Sequence, residues 1–265
     1  MPGQSLISPE VYAILKNIAE RRSSRIFPLF CACFFHRAAK RPESLCIWDM
    51  EMMNQTGNCY IFGAGDFDGL LAAPAPGDLI LAADGGFRTL TALGIDPDLV
   101  LGDFDSLGAP PDHPRVLRVP SEKDDTDMML AVKTALEQGC RTLYLYGGLG
   151  GSRIDHTLAN IQTLLYAARH GARAYLIGCG AVLTVIQNGK LTFPAGFRGF
   201  LSVFCAGESA RGVTLRGLKY PLRDAVLTCD VPLGVSNEFC GEPACVEVAD
   251  GSLLVTWQAE NPVLP

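Results

Sequence analysis

Short apolar runs recur along the chain from Cys59 and predict buried strands. The runs are Cys59–Phe62, Leu79–Ala83, Leu99–Leu101, Val116–Val119, Leu143–Tyr146 and Ala174–Ile177. Segments with helical periodicity lie between them, at Gly86–Leu93, Asp127–Glu137 and Thr157–His170. Strands that alternate with helices are typical of a parallel sheet with helices on its faces. We therefore expect residues 58–179 to form an α/β domain.

The pattern changes after about Gly180, where helical periodicity ends. The apolar runs there are Val182–Gln187, Lys190–Phe193, Phe200–Phe204, Gly212–Arg216, Cys245–Val248 and Ser252–Trp257. Gly, Pro and Asn turns separate them, which is typical of a small antiparallel sandwich or barrel. We predict an all-β domain over residues 180–265.

Residues 1–57 differ from the rest in charge and pattern. This stretch is net positive, whereas the chain as a whole has a net charge of -6. One helix is predicted, from Pro9 to about Arg22, without a second element to pack against it. We interpret the segment as a poorly ordered or dispensable extension; the alternative is a membrane- or partner-binding arm.

The amino-acid composition argues against several classes of function. Apolar residues make up 48% of the 265 residues and charged residues 19%, which is ordinary for a globular protein. The acidic balance argues against a nucleic-acid partner, which would require a basic face. The ten cysteines show no metal-site spacing, and no apolar run is long enough to cross a membrane. We expect a cytoplasmic enzyme.

Polar residues follow each predicted strand of the α/β part. Gly63–Asp66 follows the first strand, Asp84–Gly86 the second and Gly102–Ser106 the third. The fourth strand leads into Ser121–Asp127 and the fifth into Gly147–His156. In a parallel sheet these loops lie along one edge, where ligands bind. The sequence therefore predicts one crevice lined by carboxylates and glycines.

Crowded carboxylates in this crevice suggest a metal site. Asp103 and Asp105 are two residues apart, so in an extended chain both side chains face the same way. Asp127 lies at a predicted helix start. Neighbouring carboxylates repel one another unless a cation neutralises them, and oxygen ligands suit Mg²⁺. The alternative for such residues, Asp124 above all, is that they cap helices or form turns.

The glycine-rich segment Gly147–Gly151 suggests a phosphate site. Its backbone N–H groups can approach a phosphate chain, and a helix with a partly positive N-terminus follows. Arg153 adds a bidentate donor. The segment is neither a Walker loop nor a dinucleotide fingerprint. His156 suits a helix cap or a packing role better than a general base.

Taken in order, these motifs resemble the thiamine pyrophosphokinase (thiamine diphosphokinase) family. The motifs are Ala83–Gly86, Gly102–Ser106, Lys123–Asp127, Gly147–His156, Gly217–Leu222 and Val235–Glu238, and the resemblance spans roughly Cys59 to Trp257. It implies a three-layer α/β domain followed by a β-sandwich, a homodimer, and the conversion of thiamine and ATP to thiamine diphosphate and AMP. One departure is Tyr220, where many members carry Trp.

The resemblance also implies roles for individual residues. Asp103, Asp105 and Asp127 would hold Mg²⁺ on the phosphates of ATP, the co-substrate, and Asp155 would complete the catalytic carboxylates. The nucleotide site would comprise Asp84, Gly85, Gly86, Ser106, Lys123, Asp124, Thr126, Gly148, Gly150, Gly151, Arg153 and His156. Thiamine would contact Tyr220, Ser236 and Asn237 near the dimer interface. Asp127 or Asp155 would accept the proton from the thiamine hydroxyl.

Three alternative functions remain open. The first is a pyrophosphokinase for another small alcohol such as a hydroxymethylpterin, and the second is a non-catalytic nucleotide-sensing module. The third is a magnesium-dependent phosphohydrolase. AMP formation that depends on thiamine distinguishes the expected function from all three.

Overall fold

A computed structural model describes residues 57–105, 107–122, 124–258 and 264–265. The expectation for the N-terminal extension therefore concerns residues outside the described part of the chain, apart from Gly57. The same is true of Ser106 and Lys123, two of the residues expected to bind the nucleotide.

Six strands and three helices make up the α/β part. The strands are β1 Asn58–Phe62, β2 Leu79–Ala83, β3 Leu99–Gly102, β4 Val116–Arg118, β5 Thr142–Tyr146 and β6 Arg173–Gly178. The helices are α1 Gly86–Ala92, α2 Asp127–Glu137 and α3 Ile154–Arg169. All six strands pair in parallel, in the order β6-β5-β1-β2-β3-β4. The predicted parallel sheet is confirmed.

Alternate residues of β1 face opposite sides of this sheet, which gives three layers. Ile61 belongs to a core cluster that includes Ala131 of α2 and Leu164 of α3. Phe62 belongs to a second cluster that includes Leu90 of α1. Helices therefore cover both faces, and the strands are apolar on both sides, as expected for a parallel sheet.

The all-β part contains six further strands. They are β7 Ala181–Phe193, β8 Phe200–Cys205, β9 Ser209–Arg216, β10 Leu222–Thr228, β11 Gly234–Glu238 and β12 Ala244–Gln258. All their pairings are antiparallel, and β7 also pairs with β6, so the sheet is continuous between the two parts. Phe193 and Trp257 share the cluster of Phe62, so the hydrophobic core is continuous as well.

Two of the strands in the structure, β7 and β12, each combine two short strands that the sequence predicted separately. The break near Asn188 lies within β7, and the break near Gly251 lies within β12, opposite it. Asn188 has φ 44° and Gly251 has φ 107°, and the Gly251 N–H donates to Asn188 Oδ1 at 2.8 Å. The predicted turn residues thus form a bulge that bends both strands without ending them.

The sequence prediction did not include β10 and β11 as strands. Most of β10 is exposed or half-buried, with Leu227 as its only buried residue. A strand exposed at the edge of a sheet lacks the alternating apolar pattern that identifies other strands. The sequence prediction was also wrong about the start of α3, which begins at Ile154 rather than Thr157. Asp155 and His156 consequently lie in its first turn.

The predicted bounds of α2, Asp127–Glu137, are confirmed. Thr126 is its N-cap, with Oγ1 accepting a hydrogen bond from the Met129 N–H at 3.2 Å. Among the described residues, no helix is long and apolar enough to cross a membrane.

Glu137, the last residue of α2, is a half-buried acid. Burial raises the pKa of its carboxyl from 4.5 to about 7, although Lys133 acts in the opposite direction. Its Oε1 is buried and has no hydrogen-bond partner in the described part of the chain. Both observations indicate a carboxyl group that the folded protein holds more easily when protonated.

We predict that this group lowers stability as the pH rises. Between the unfolded pKa near 4.5 and the folded pKa near 7, the folded state binds more protons than the unfolded state, so the free energy of unfolding falls with pH. The substitution Glu137→Gln introduces a side chain that stays neutral at all of these pH values. It therefore removes the fall in the free energy of unfolding. At about pH 8 the variant should be more stable by about 1 kcal/mol after solvent screening, or about 2–4 °C in Tm.

Thermal melts near pH 4.5 and pH 8 test this expectation. The stabilisation by Glu137→Gln should be nearly absent at the lower pH. The exposed Glu208 provides a matched control, and Glu208→Gln should change Tm equally little at both values. A Glu137→Gln effect of the same size at both pH values would contradict the prediction.

Candidate active site

The strand order places a crevice between β1 and β5. The chain runs outward from β1 through β2, β3 and β4, and then returns to place β5 on the other side of β1. Ligands of open parallel sheets bind at such a switch point, beyond the carboxyl ends of the strands. A cleft of about 480 Å³ lies there. Its lining is Gly63, Ala64, Gly65, Asp66, Ala83, Asp84, Asp103, Asp105, Thr126, Asp127, Met128, Gly147, Gly148, Gly150, Gly151, Ser152, Arg153, His156 and Asn160.

A carboxylate cluster forms one wall of the cleft. One oxygen from each of Asp84, Asp103 and Asp105 lies within 4.8 Å of the others. Asp84 is 8% exposed, whereas Asp105 is exposed. Three carboxylates this close repel one another unless a cation lies between them, and their oxygen atoms suit Mg²⁺. Asp127 lines the same cleft but lies outside this cluster.

Backbone turns bring these carboxylates together. Asp103 and Asp105 were expected to share a face because the chain would be extended, but Phe104 between them has φ 65°. Its ring is buried in the core, and the Asp105 N–H donates to Asp103 Oδ1 at 3.2 Å. Asp84 also has a positive φ, 48°, and its N–H donates to Leu101 O at 2.7 Å. The strained backbone thus lies at the carboxylate cluster.

The glycine segment after β5 lines the same cleft. The Asn160 side chain, buried on α3, donates from Nδ2 to Gly148 O at 2.8 Å. Gly150 and Gly151 have φ 78° and 75°, conformations that glycine adopts without strain. A Cβ on Gly150 would lie 2.6 Å from Cys179 Sγ. The segment is therefore closely fitted to its surroundings and leads into the N-terminus of α3.

Arg153, just before α3, forms an ion pair with Asp155. Arg153 Nη2 donates to Asp155 Oδ2 at 2.6 Å, and Nε adds a bond to Oδ1 at 3.0 Å. These hydrogen bonds are the main cause that lowers the Asp155 pKa to about 2. A carboxylate of such low basicity is a poor proton acceptor. Arg153 lines the cleft, whereas Asp155 does not.

Several residues expected to bind the nucleotide do not line the cleft. Gly85 and Gly86 form the N-cap and the first residue of α1, and Gly86 is buried. A Cβ on Gly86 would lie 1.8 Å from Phe62 O, so this glycine allows close packing of helix and strand. Asp124 lies in the exposed loop before α2. Its neighbour Asp125 forms an ion pair with Lys133 at 2.6 Å.

Among the lining residues that were not predicted as site residues, Asn160 and Asp66 bind the glycine segment through their side chains. Asn160 lies one helical turn after His156, a spacing that places both on one face of α3, so periodicity could have identified it. Asp66 belongs to the loop after β1, which was expected to reach the crevice without an assigned role for this residue. Its Oδ2 accepts a hydrogen bond from the Gly151 N–H at 3.1 Å.

The three residues expected to contact thiamine lie together in the β part, away from the cleft lining. Tyr220 is 56% exposed, and Lys219 Nζ lies 5.5 Å from the centre of its ring. Asn237 is 3% exposed; its Oδ1 accepts from the Tyr220 N–H at 2.9 Å and its Nδ2 donates to Tyr220 O at 2.8 Å. Ser236 is exposed and has φ 59°. Asn237 thus holds the backbone that displays Tyr220.

Comparison with known families gives two matches along the chain. Residues 75–176 match the family model "Thiamin pyrophosphokinase, catalytic domain", and residues 190–253 match "Thiamin pyrophosphokinase, vitamin B1 binding domain". The Bacillus subtilis (strain 168) thiamine pyrophosphokinase is 31% identical over 191 residues, which cover 67% of this chain and 86% of that protein.

Solved structures agree with these matches. The crystal structure of the Bacillus subtilis enzyme has a TM-score of 0.66 and 27% identity, and covers 76% of this chain and 98% of that one. The Geobacillus thermodenitrificans thiamin pyrophosphokinase has a TM-score of 0.67 and 28% identity, with 77% and 98% covered. The resemblance seen in the sequence motifs is confirmed, and this chain belongs to the thiamine pyrophosphokinase family.

Proposed function

We propose that this protein transfers the pyrophosphoryl group of ATP to the hydroxyl of thiamine, giving thiamine diphosphate and AMP. The observation that carries the proposal is the cleft in which the cluster of Asp84, Asp103 and Asp105 faces a glycine segment, in a chain of this family. Carboxylates and a glycine-rich backbone that line the same cleft suit a phosphate chain accompanied by a cation.

Mg²⁺ fits the carboxylate cluster. Asp84, Asp103 and Asp105 would hold it, since their oxygen atoms lie within 4.8 Å of one another. When bound, the ion neutralises charge on the phosphate oxygens during transfer. The proposed ligands differ from the expected ones at one position, because Asp84 takes the place of Asp127. Asp127 lines the cleft outside the cluster, and Asp155 is a weak base, so we assign the thiamine proton to Asp127.

Backbone and side-chain donors would bind the triphosphate. The segment from Gly147 to Gly151 offers close backbone approach, and the 16-residue helix α3 directs its partly positive N-terminus toward the cleft. Arg153 lies at the cleft with 66% of its side chain exposed, so its guanidinium can contact both Asp155 and a phosphate. Transfer then depends on positioning and charge stabilisation rather than on a strong base.

The turn around Tyr220 would bind thiamine. The exposed ring of Tyr220 suits a flat, positively charged thiazolium. Ser236, which precedes Asn237 in the sequence, is also exposed. Asn237 is buried and bonds to the Tyr220 backbone, so we assign it the role of holding this turn. Thiamine contact would therefore come from Tyr220 and Ser236.

A second copy of the chain would complete the thiamine site. Five exposed apolar side chains lie on β8, on β10, on β11 and in the turn between β10 and β11. They are Phe200, Val226, Val231, Leu233 and Val235. Burying such a surface favours association. We propose a homodimer formed through this surface, which would place Tyr220 of one copy near the cleft of the other.

The cysteines are consistent with a cytoplasmic location, which we also propose. Seven lie in the described part of the chain, and none of them forms a disulfide. Unbridged thiols are ordinary in a reducing compartment.

The first test of the function is AMP release. Purified protein with ATP and Mg²⁺ should form AMP only when thiamine is present, and hydroxymethylpterin should not replace thiamine. Asp103→Asn removes one carboxylate of the cluster and should reduce turnover by about two orders of magnitude or more. The exposed Asp112 is a matched control, and Asp112→Asn should leave turnover unchanged. Near-normal turnover by Asp103→Asn would exclude the metal assignment.

The second test concerns thiamine recognition. Tyr220→Ala removes the ring that would stack on the substrate, so it should raise KM for thiamine by about tenfold. This change corresponds to a loss of about 1.4 kcal/mol of binding free energy. KM for ATP and Tm should stay the same, since the ring is mostly exposed. Tyr220→Trp should preserve or lower KM for thiamine. A fall in Tm with an unchanged KM would assign Tyr220 to the fold alone.

The third test concerns the dimer. Leu233→Asp places a charge on the exposed apolar surface and should convert a dimer into a monomer of 28.4 kDa, measured by sedimentation. Leu93→Asp, at an exposed leucine that follows α1, should leave the dimer intact. A monomeric wild-type protein, or a dimeric Leu233→Asp variant, would refute the proposed interface.

A further inference from the structure

Asp66 links the two loops that meet at the switch point of the sheet. It follows β1 and accepts a hydrogen bond on Oδ2 from the N–H of Gly151, which follows β5, at 3.1 Å. It lines the cleft together with the glycine segment and the carboxylate cluster. The family match to the catalytic domain begins at residue 75, so Asp66 lies outside the matched range.

The loop after β1 is fixed on both sides of Asp66. Before it, the Gly65 N–H donates to Gly147 O at 2.9 Å, so the two loops pair beyond the ends of their strands. After it, the ring of Phe67 packs against Tyr146, with ring centres 5.9 Å apart. Asp68 then accepts a hydrogen bond from the Gly180 N–H at 3.2 Å. Phe67 packs inward, and the carboxylates on either side of it each accept a hydrogen bond, Asp66 from the Gly151 N–H and Asp68 from the Gly180 N–H.

The glycine segment is fitted against Asp66. A Cβ on Gly150 would lie 3.0 Å from Asp66 Oδ2 and 2.6 Å from Cys179 Sγ. Gly151 has φ 75°, and a Cβ there would have no atom within 4 Å. The hydrogen bond that Asp66 accepts therefore restrains Gly151, at which an added side chain would point into open space.

The charge of Asp66 poses a physical problem for nucleotide binding. A carboxylate near a triphosphate repels it, and the cluster of Asp84, Asp103 and Asp105 already supplies three acids to the cleft. Any benefit of Asp66 must come from what its oxygen atom holds in place. The hydrogen bond to the Gly151 N–H is the interaction that can provide it.

We propose that Asp66 is a positioning residue for ATP, which sets the phosphate-binding conformation of the glycine segment through its hydrogen bond to Gly151. The proposal rests on the proposed use of this segment for ATP. It does not depend on thiamine. The acceptor oxygen matters, and the negative charge does not.

Three variants separate these contributions. Asp66→Ala removes the acceptor, Asp66→Asn keeps an acceptor oxygen without the charge, and Asp68→Ala is the matched control on the same loop. Binding of ATP with Mg²⁺ is measured by calorimetry without thiamine, well below the lowest Tm. Asp66→Ala should raise Kd for ATP by about tenfold. Asp66→Asn and Asp68→Ala should stay within about twofold of the wild type.

Kinetics supplies a second readout. Asp66→Ala should raise KM for ATP more than KM for thiamine, which a general loss of folding would not do. If Asp66→Ala fails to fold, Asp66→Ser serves in its place, because its shorter side chain does not reach the Gly151 N–H.

The outcomes are distinct. A Kd for Asp66→Asn as high as that for Asp66→Ala would show that the charge is needed and would overturn the proposal. A wild-type Kd for Asp66→Ala would overturn it as well. Failure of the wild-type protein to form AMP with thiamine would instead refute the proposed function, and the ATP affinities would still decide the role of Asp66.

Discussion

The carboxyl ends of β1 and β5 lie in direct contact, and the rest of the site is built around this contact. The Gly63 N–H donates to Tyr146 O at 2.8 Å, and a Cβ on Gly147 would lie 2.4 Å from Gly63 O. Only a residue without a side chain fits there. Because these backbones touch, the loop carrying Asp66 lies against the glycine segment, and the cleft has a defined wall beyond the sheet.

The carboxylate side of the cleft combines core packing with backbone strain. Phe104 is buried in the core, and its left-handed backbone directs Asp103 and Asp105 to the same cluster. Asp84 takes a similar conformation at the end of β2. Residues in such conformations cost on the order of 1–3 kcal/mol each and persist only where the surrounding structure holds them. Here the buried ring and the backbone bond to Leu101 hold them.

The β part is connected to this site by shared packing. The long strand β7 pairs with both β6 and β12, and the core cluster of Phe62 extends to Trp257. Tyr220 is displayed on a turn that Asn237 clamps through two hydrogen bonds. A buried amide fixed in this way holds the backbone that displays the ring, which in the proposed function would lower the entropy lost when thiamine binds.

Local patterns in the amino-acid order predict the strands and helices of the α/β part, the parallel sheet, the antiparallel β part and many of the residues that line the cleft between Asp84 and His156. These features follow from local periodicity and from the rule that loops of a parallel sheet meet at one edge. The motifs Gly102–Ser106 and Gly147–His156 also identified the family, because their residue types follow in a specific order.

Which of these residues touch depends on the folded chain and not on local patterns. Asp84 joined the carboxylate cluster in place of Asp127, Gly86 proved to be a packing residue, and Asp66 reached Gly151 across 85 positions of sequence. The edge strand β10 had no local signal, and the turn residues at Asn188 and Gly251 predicted breaks in the strands rather than the bulge between β7 and β12. Such contacts depend on strand order and on the φ angles of single residues such as Phe104, and periodicity carries no information about either.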